Sequence, residues 1–473
     1  MSTSLKIPPE SQNTVSGNEE TVGRGLFRVE SLSSLRWIAA GGIGSLVLAL
    51  CLYAETPPKK TEPSVSRSTS RGALTSDLLG SWPTFRGPGA NGHAVQADPP
   101  LGWRLEDNRN VLWKAVVPKP GMSSPVIWGN RLFLTGADDV DRQVYCFDTD
   151  TGELLWQHSV ESIPGSPDID GLPNVLDMTG LAAPTATTNG RVVAAIFATG
   201  DLVGLSMEGK RIWARNLGIP SNPYGHASSL MSHGNLLFVQ YDQEENSKLL
   251  AYDIASGDLA WQVERDVISW SSPLLIENNG RTELILSNCS SVDSYDPKTG
   301  KLLWHSNCLS GEVAPSAAYA DGIVFVANEY STTSAIDVGG HDSAPAILWQ
   351  WEEVLPNAAS PVANEDYLFL PSPYGIVTNL DAKSGTVIWE HEFDRGFYSS
   401  PILVNDRVYI IDLSGTMQVF KAADEFVLLA TSELGEQTYA TPAFVVDRIY
   451  IRGLSHLFCI GAKNPQQPLP EGK

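Results

Sequence analysis

The stretch that decides the fold runs from Asp148 to Trp156 and reads DTDTGELLW. Its pattern, Asp-x-x-[Thr/Ser]-Gly-x-x-x-Trp, occurs four times in strict form. The defining residues of the four copies are Asp148, Gly152 and Trp156; Asp253, Gly257 and Trp261; Asp296, Gly300 and Trp304; and Asp381, Gly385 and Trp389. Chance would not produce four such copies in one chain, so the pattern predicts an architecture built from repeated units.

The spacing of the repeats predicts the number of units. Tryptophans that end the pattern, or its looser relatives, follow one another at intervals of 40 to 57 residues from Trp113 to Trp389. A second element is a short small-residue stretch that occurs eight times, for example as Ser124-Pro125-Val126, Ala183-Pro184-Thr185, Ala314-Pro315-Ser316 and Ser400-Pro401-Ile402. A period of this length with several short strands per unit is typical of a β-propeller. The sequence therefore predicts an all-β fold, an eight-bladed β-propeller.

Each unit reads as four strands, but the last unit lacks its fourth. That unit ends at the strand Leu457–Ile460. The strand around Trp113, which precedes the first full unit, has no unit of its own. We expect it to complete the last blade, because a ring closed by both ends of the chain leaves no open sheet edge.

The repeat residues have structural rather than catalytic roles in this interpretation. The Gly of each copy accepts a positive φ in the turn between the third and fourth strands. The Asp side chain accepts hydrogen bonds from backbone N–H groups of that turn. The Trp buries its ring between adjacent blades.

The residues before the propeller include a predicted membrane anchor. We divide the chain into a disordered tail (1–36), a transmembrane signal anchor (37–54), a flexible linker (55–81), the propeller (82–463) and a C-terminal tail (464–473). The anchor is an uncharged run of 18 residues, enough to span a bilayer as a helix. The balance of charges on the two sides of the segment leaves its orientation open. We favour an uncleaved signal anchor over a cleaved signal peptide, and the sequence leaves this alternative open as well. We expect a single-pass membrane protein whose propeller lies on the periplasmic or extracytoplasmic side.

The charge and the cysteines exclude some functions. A formal net charge of −22 argues against a nucleic-acid partner, because such proteins concentrate Lys and Arg. The five cysteines form no zinc-binding pattern. Buried free thiols are the favoured interpretation, with disulfides Cys289–Cys308 or Cys146–Cys459 as the alternative.

Candidate site residues come from the loops that lead into the first strand of each blade. Such loops gather around one mouth of a propeller's central channel, where ligands commonly bind. Glu312 is the acidic residue at this level, able to ligate a cation or act as a base, and His226 is its candidate partner. Trp270 can stack on a planar ring. The ligand-binding candidates are Trp270, Glu312, His226, Tyr224 and Tyr398, and the same loops present Met122, Asn357 and Tyr439.

These repeats resemble those of the pyrroloquinoline-quinone (PQQ) repeat family. The resemblance covers about residues 82–460 and rests on the Asp-x-x-Thr-Gly-x-x-x-Trp motif. The opening residues Trp82–Pro88 resemble those of membrane-anchored PQQ-like and BamB-like propeller proteins of planctomycete type. The resemblance implies either quinoprotein dehydrogenases, which use PQQ and calcium, or non-catalytic propellers of the BamB type. Quinoprotein alcohol dehydrogenases resemble one another in a ring of two adjacent cysteines, and this chain has no adjacent cysteines.

The function we expect is therefore that of a non-catalytic, membrane-anchored module that binds an envelope protein and acts as a scaffold. No cofactor and no metal site is predicted. The alternative is an oxidoreductase that depends on PQQ and calcium. A second alternative is a propeller that binds an envelope polysaccharide or a small ligand.

Overall fold

The computed structural model describes residues 80–340 and 344–462. The predicted N-terminal tail, the membrane anchor, the linker up to residue 79 and the C-terminal tail lie outside these residues. Within the two described ranges, no helix is long and apolar enough to cross a membrane. The anchor at 37–54 therefore stays a prediction.

Eight antiparallel sheets, one per blade, make up the described chain. Blades 1 to 4 consist of the strands Val126–Trp128, Arg131–Ala137, Arg142–Asp148 and Leu154–Ser159; Thr187–Thr188, Val192–Ile196, Asp201–Ser206 and Arg211–Asn216; Met231–His233, Leu236–Tyr241, Ser247–Asp253 and Leu259–Arg265; and Leu274–Asn278, Arg281–Ser287, Ser291–Tyr295 and Leu302–Asn307.

The remaining blades follow the same order from inner to outer strand. Blades 5 to 8 consist of Ala318–Ala320, Ile323–Ala327, Thr333–Asp337 and Ala346–Trp351; Val362–Ala363, Tyr367–Pro371, Ile376–Asp381 and Val387–Glu392; Ile402–Val404, Arg407–Ile411, Thr416–Lys421 and Leu428–Glu433; and Ala443–Val445, Arg448–Arg452, His456–Gly461 and Val111–Val116. Short 3₁₀ helices span Pro88–Ala90 and Ile169–Gly171.

The ring closes as predicted. Val111–Val116 is the outer strand of blade 8, where Trp113 pairs with Cys459 and Lys114 with Phe458. Both ends of the described chain therefore contribute to one sheet, and the predicted eight-bladed all-β propeller is confirmed. The four cysteines in the described ranges, Cys146, Cys289, Cys308 and Cys459, are free thiols, as the favoured interpretation expected.

The repeated motif bonds most neighbouring blades near the rim, although the Trp304 indole donates to Glu283 of its own blade and the outer strand of blade 7 has no Trp. The Asp148 carboxylate accepts hydrogen bonds from the backbone N–H groups of Asp150 and Thr151, both at 2.9 Å, and so shapes its turn. Gly152 of this turn has φ +73°, and a Cβ there would lie 2.6 Å from the Trp113 ring. The indole N–H of Trp113 in turn donates to the carbonyl of Thr149 at 2.9 Å. One Trp thus bonds the neighbouring turn with its edge and packs against that turn's Gly with its face.

A closed ring of hydroxyl groups joins the blades around the axis. In each blade, the residue two positions before the inner strand is Ser or Thr, and its backbone N–H donates to the side-chain oxygen of the next. The ring runs through Ser124, Thr185, Ser229, Ser272, Ser316, Ser360, Ser400 and Thr441 and back to Ser124, with distances of 2.9 to 3.2 Å. The final bond, from Thr441 to Ser124, joins blade 8 to blade 1.

This ring corrects the alignment of the small-residue elements. The sequence comparison matched Ala183-Pro184-Thr185 with Ser124-Pro125-Val126, and so placed proline opposite proline. In the structure Thr185 occupies the position of Ser124, and Ser316 does likewise in blade 5. The hydroxyl is the equivalent residue because it carries the bond between blades, whereas proline only flanks it.

The segment Ser81–Ala97, which we call the plug, fills one half of the channel. The predicted linker ended at Ser81, but Ser81 pairs with Trp128 at the far end of the inner strand of blade 1. From there the chain rises along the axis, and the Thr84 hydroxyl donates to the carbonyl of Leu230 at 2.6 Å. It then descends, and Ala94 donates to the carbonyl of Leu403 at 2.9 Å.

Arg86 sits at the top of the plug and is fully buried. Its guanidinium donates to the carbonyls of Ala317 in blade 5, at 3.0 Å, and Pro361 in blade 6. Each of these residues directly follows a member of the hydroxyl ring in the chain: Ala317 follows Ser316, and Pro361 follows Ser360. Burial without a carboxylate partner lowers the pKa of Arg86 to about 9.

A buried ion-pair network joins blades 3 and 4. The Arg265 guanidinium lies 2.9 Å from the Asp242 carboxylate and 3.2 Å from that of Asp293. It also donates to the Tyr295 hydroxyl at 3.1 Å. Because Asp242 and Arg265 are both buried, losing either partner would leave an uncompensated charge inside the ring.

The hydroxyl ring yields a stability prediction. Replacing Ser316 by Ala leaves the backbone N–H of Ser272 buried without its acceptor, at an expected cost of about 1–3 kcal/mol. Urea unfolding followed by circular dichroism measures this loss. Ser316→Thr is the matched control, since Thr already serves at positions 185 and 441. Equal midpoints for the Ala and Thr variants would show that the hydroxyl contributes nothing.

Candidate functional site

The upper half of the channel is a blind cavity of about 220 Å³. It opens on the face that carries the loops into the inner strands, which we call the mouth face. The opposite face carries the Asp-x-x-[Thr/Ser]-Gly turns, and the plug enters there. Because the plug closes the channel from below, a ligand reaches this cavity only through the mouth.

The plug and the hydroxyl ring form the floor of the cavity. Phe85 is the plug residue that lines it, and Arg86 lies behind this floor with no exposed surface. Seven hydroxyl groups of the ring line the cavity, namely those of Ser124, Thr185, Ser229, Ser272, Ser316, Ser360 and Thr441. The floor is thus one aromatic ring surrounded by hydroxyl oxygens.

Tyr224, Trp270 and Glu312 form one side of the wall. The rings of Tyr224 and Trp270 meet edge to face with centroids 4.9 Å apart. The Trp270 indole N–H donates to the side-chain oxygen of Asn222, which holds the ring in place. The Tyr224 hydroxyl donates to the Glu312 carboxylate at 3.4 Å. Burial, and then the Glu312 charge, raise the pKa of Tyr224 above its ordinary value.

A second carboxylate, Glu329, lies on the same blade as Glu312, in the loop between the second and third strands of blade 5. Glu329 accepts a hydrogen bond from the Tyr374 hydroxyl at 2.6 Å and another from the Asn357 amide. Asn357 lines the cavity, together with the rings of Tyr330 and Tyr398. The Glu329 carboxylate raises the pKa of Tyr374 through their hydrogen bond. Aromatic rings and two carboxylates therefore surround the entrance.

The structure brings most of the predicted site residues together. Trp270, Glu312, Tyr224 and Tyr398 all line the cavity, as do Met122, Asn357 and Tyr439. His226 does not line it. It is buried, with its ring 5.0 Å from that of Tyr241 and its Nε2 3.4 Å from the Gly218 carbonyl oxygen. His226 and Glu312 therefore do not form the pair that the sequence suggested.

Sequence reasoning missed several wall residues. Glu329 and Tyr330 lie in the connection between the second and third strands of blade 5, and Tyr374 lies in the same connection of blade 6. The sequence prediction covered only the loops that lead into inner strands. Because the strands of a blade are antiparallel, the loops between second and third strands lie on the same face as those loops. Met178 comes from the long connection between blades 1 and 2, and Phe85 comes from the plug.

The cavity does not fit PQQ. PQQ carries three carboxylates, and a site for it needs cationic partners. Within the described ranges no Lys, Arg or His lines the cavity, and its one charged lining residue is the acidic Glu312. Among the same residues there is no group of three His, Cys, Asp or Glu side chains placed to hold a metal ion.

Fold and cavity together define an eight-bladed propeller with a blind, acidic and aromatic axial pocket. Residues 103–264 and 337–428, more than half of the chain, match the family described as outer membrane protein assembly factor BamB. The chain belongs to this family.

Individual relatives are distant. The chain is similar to the outer membrane protein assembly factor BamB of Moranella endobia (strain PCIT), with 22% identity over 51% of this chain and 65% of the relative. It is 24% identical to that of Salmonella typhimurium, over 50% of this chain and 62% of the relative. The chain thus spans less than two thirds of the length of these curated relatives.

Solved structures share the fold. BamB from Moraxella catarrhalis superposes with a TM-score of 0.58 at 14% identity, over 76% of this chain and 99% of that one. Quinohemoprotein alcohol dehydrogenase from Comamonas testosteroni superposes with a TM-score of 0.60 at 12% identity, over 84% and 83% of the two chains. At such identities the likeness shows the fold alone.

His226 gives the protein a predicted sensitivity to acid. Burial lowers the pKa of His226 to about 4, whereas its ordinary value is 6.5. Between these values the unfolded chain binds a proton that the folded chain does not, so stability falls as pH falls from 6.5 towards 4. The expected loss from this group is on the order of 3 kcal/mol.

Urea unfolding of the wild type and of His226→Phe between pH 4 and 8 measures this effect. The Phe variant keeps a ring against Tyr241 and should lose less stability on acidification. Above pH 7 the two proteins should show the same pH dependence, which serves as the internal control. Parallel curves over the whole range would contradict the role given to His226.

Proposed function

We propose that this protein is a membrane-anchored, protein-binding propeller of the cell envelope, acting as a scaffold for an envelope protein. Family membership supports an envelope role, because the matched relatives are named as outer membrane protein assembly factors. The anchor is the segment 37–54, and the propeller lies on the extracytoplasmic side. Ser81, at the start of the described residues, lies at the face opposite the mouth.

The observation that carries the proposal is an apolar loop on the mouth face. The connection between blades 1 and 2 exposes Ile169 (62%), Leu176 (46%) and Met178 (46%). Among the described residues, this connection, from Ser159 to Thr187, is longer than the connection between any other two consecutive blades. Val140, 72% exposed, lies in the neighbouring loop of blade 1 on the same face. Exposed apolar side chains that do not recur from blade to blade are typical of a protein contact.

This loop is held in position. The Ser166 hydroxyl donates to the Asp201 carboxylate at 2.8 Å, and Arg142 pairs with the same carboxylate at 2.9 Å. Ile163 is buried beneath the loop. A loop fixed in this way loses little conformational entropy on binding. Its acids, Asp168, Asp170 and Asp177, surround the apolar side chains, so the complementary surface is apolar with a basic rim.

The loop can be tested by substitution. The assay measures how much of a defined partner co-purifies with the full-length chain from cross-linked host membranes. We expect Ile169→Asp and Leu176→Asp each to reduce this amount by about tenfold or more, because each substitution places a charge in an apolar contact. Leu302→Asp is the matched control, since Leu302 is 48% exposed on the outer strand of blade 4. Equal recovery with all three variants would contradict a contact through this loop.

The anchor has its own test. We expect the full-length chain to remain in the membrane after alkaline carbonate extraction, and a chain that begins at residue 55 to be released, because an apolar helix inserts far more firmly than a peripheral contact. Reporter fusions at each terminus give the orientation. Release of the full-length chain would contradict the anchor while leaving the loop contact to be judged separately.

A further inference from the structure

We propose that the axial cavity binds an organic cation, an alkylammonium group held between aromatic rings and carboxylates. This site goes beyond the scaffold function and does not depend on it. The shared chemistry is a positively charged nitrogen that carries methyl or methylene groups. It can be supplied by a free small amine or by a lysine side chain of a protein.

The aromatic rings supply the first reason. Tyr224, Trp270, Tyr330, Tyr398 and Tyr439 all line the cavity, and they come from four different blade connections and one strand-to-strand loop. Aromatic faces attract cations, most strongly when the site is sheltered from water, and Trp is the best partner. Trp270 is only 8% exposed and is fixed by its bond to Asn222. A cation can therefore meet a ring that is already in position.

The charges supply the second reason. Glu312 lines the cavity and Glu329 stands at its rim, each bonded to a tyrosine hydroxyl. No Lys, Arg or His lines the cavity within the described ranges. Two buried cations lie near the floor, but neither lines the cavity: Arg86 donates to the carbonyls of Ala317 and Pro361, and Arg452 donates to Ser123 and Thr135. The ammonium group therefore binds in the upper part of the cavity, between Glu312 and Trp270.

The floor supplies the third reason. The hydroxyl groups of the ring already accept backbone N–H groups and each keeps a second lone pair, so they can also accept a hydrogen bond from an N–H of the ammonium group. Phe85, Met122 and Met178 provide apolar contacts for methyl groups. A neutral sugar would use the same rings and could donate hydroxyl hydrogen bonds to the carboxylates, but without a net charge its binding would depend little on salt. This difference separates the two classes of ligand experimentally.

The experiment uses tetramethylammonium chloride as the probe and the full-length chain as the protein. Ligand-observed NMR titration gives the dissociation constant, with tert-butanol as the neutral probe of similar shape and acetate as the anion. We expect tetramethylammonium to bind at least about tenfold more tightly than tert-butanol, and added NaCl to weaken it. Equal binding of tert-butanol, or preferential binding of acetate, would overturn the proposal.

Substitutions locate the site. Glu312→Gln removes the charge and keeps the shape, and Trp270→Leu removes the ring; each should weaken tetramethylammonium binding about five- to tenfold. Glu352→Gln is the matched control, because Glu352 is exposed in the loop of Asn357 but does not line the cavity. Trp270→Phe should restore part of the affinity lost with Leu. Unchanged affinity in Glu312→Gln would overturn the assignment even if the Trp270 variants fail to fold.

A last comparison identifies the source of the cation. N-acetyl-lysine methylamide presents a lysine side chain, and N-acetyl-norleucine methylamide is its uncharged counterpart. Binding of the lysine compound alongside tetramethylammonium supports the site and admits a protein side chain as its ligand. Binding of tetramethylammonium alone supports the site for a free small amine. Failure of both cations overturns the proposal and leaves the contact through the loop of Ile169 unaffected.

Discussion

The structure depends on the requirement that eight similar sheets close into one ring. Each blade must bond two neighbours; every junction does so at the axis, and most do so near the rim as well. Near the rim a Trp of one blade bonds the Gly-containing turn of the next, as Trp113 does with Thr149 and Gly152. At the axis the hydroxyl ring joins every blade to the next, and the bond from Thr441 to Ser124 completes the circle. Closure removes the open sheet edges that would otherwise pair with other chains.

Closure also creates the cavity. A ring of eight sheets leaves a channel on its axis, because the inner strands cannot meet at the centre. The plug fills the lower half and bonds to inner strands of several blades through Thr84, Arg86 and Ala94. What remains is a pocket with one entrance, whose floor includes the hydroxyl ring and whose walls are loops outside that ring. Binding chemistry can therefore vary at the mouth without disturbing the bonds that hold the blades together.

Much of this architecture was predictable because repeated local chemistry carries its own signal. The turn of Asp148 and Gly152 recurs at a fixed spacing, so the blade count and the ring closure at Trp113 followed from counting. Some of the residues that line the pocket were predictable, because the loops that lead into inner strands share one face. Trp270 and Glu312 were predicted in this way. Glu329 and Tyr330 were missed although the same reasoning reaches them, since antiparallel strands return their loops to that face.

The sequence by itself determined the repeating unit and its number, because residues close together in the chain carry them. It also determined how the ring closes, because counting strands leaves the last unit without its fourth strand and the Trp113 strand without a unit. Only the tertiary structure decided that Thr185 rather than Ala183 is the equivalent of Ser124, that His226 lies away from Glu312, and that Phe85 forms the floor of a blind cavity. These outcomes depend on contacts between residues tens to hundreds of positions apart. Such contacts are set by how the closed ring packs, and no local pattern records them.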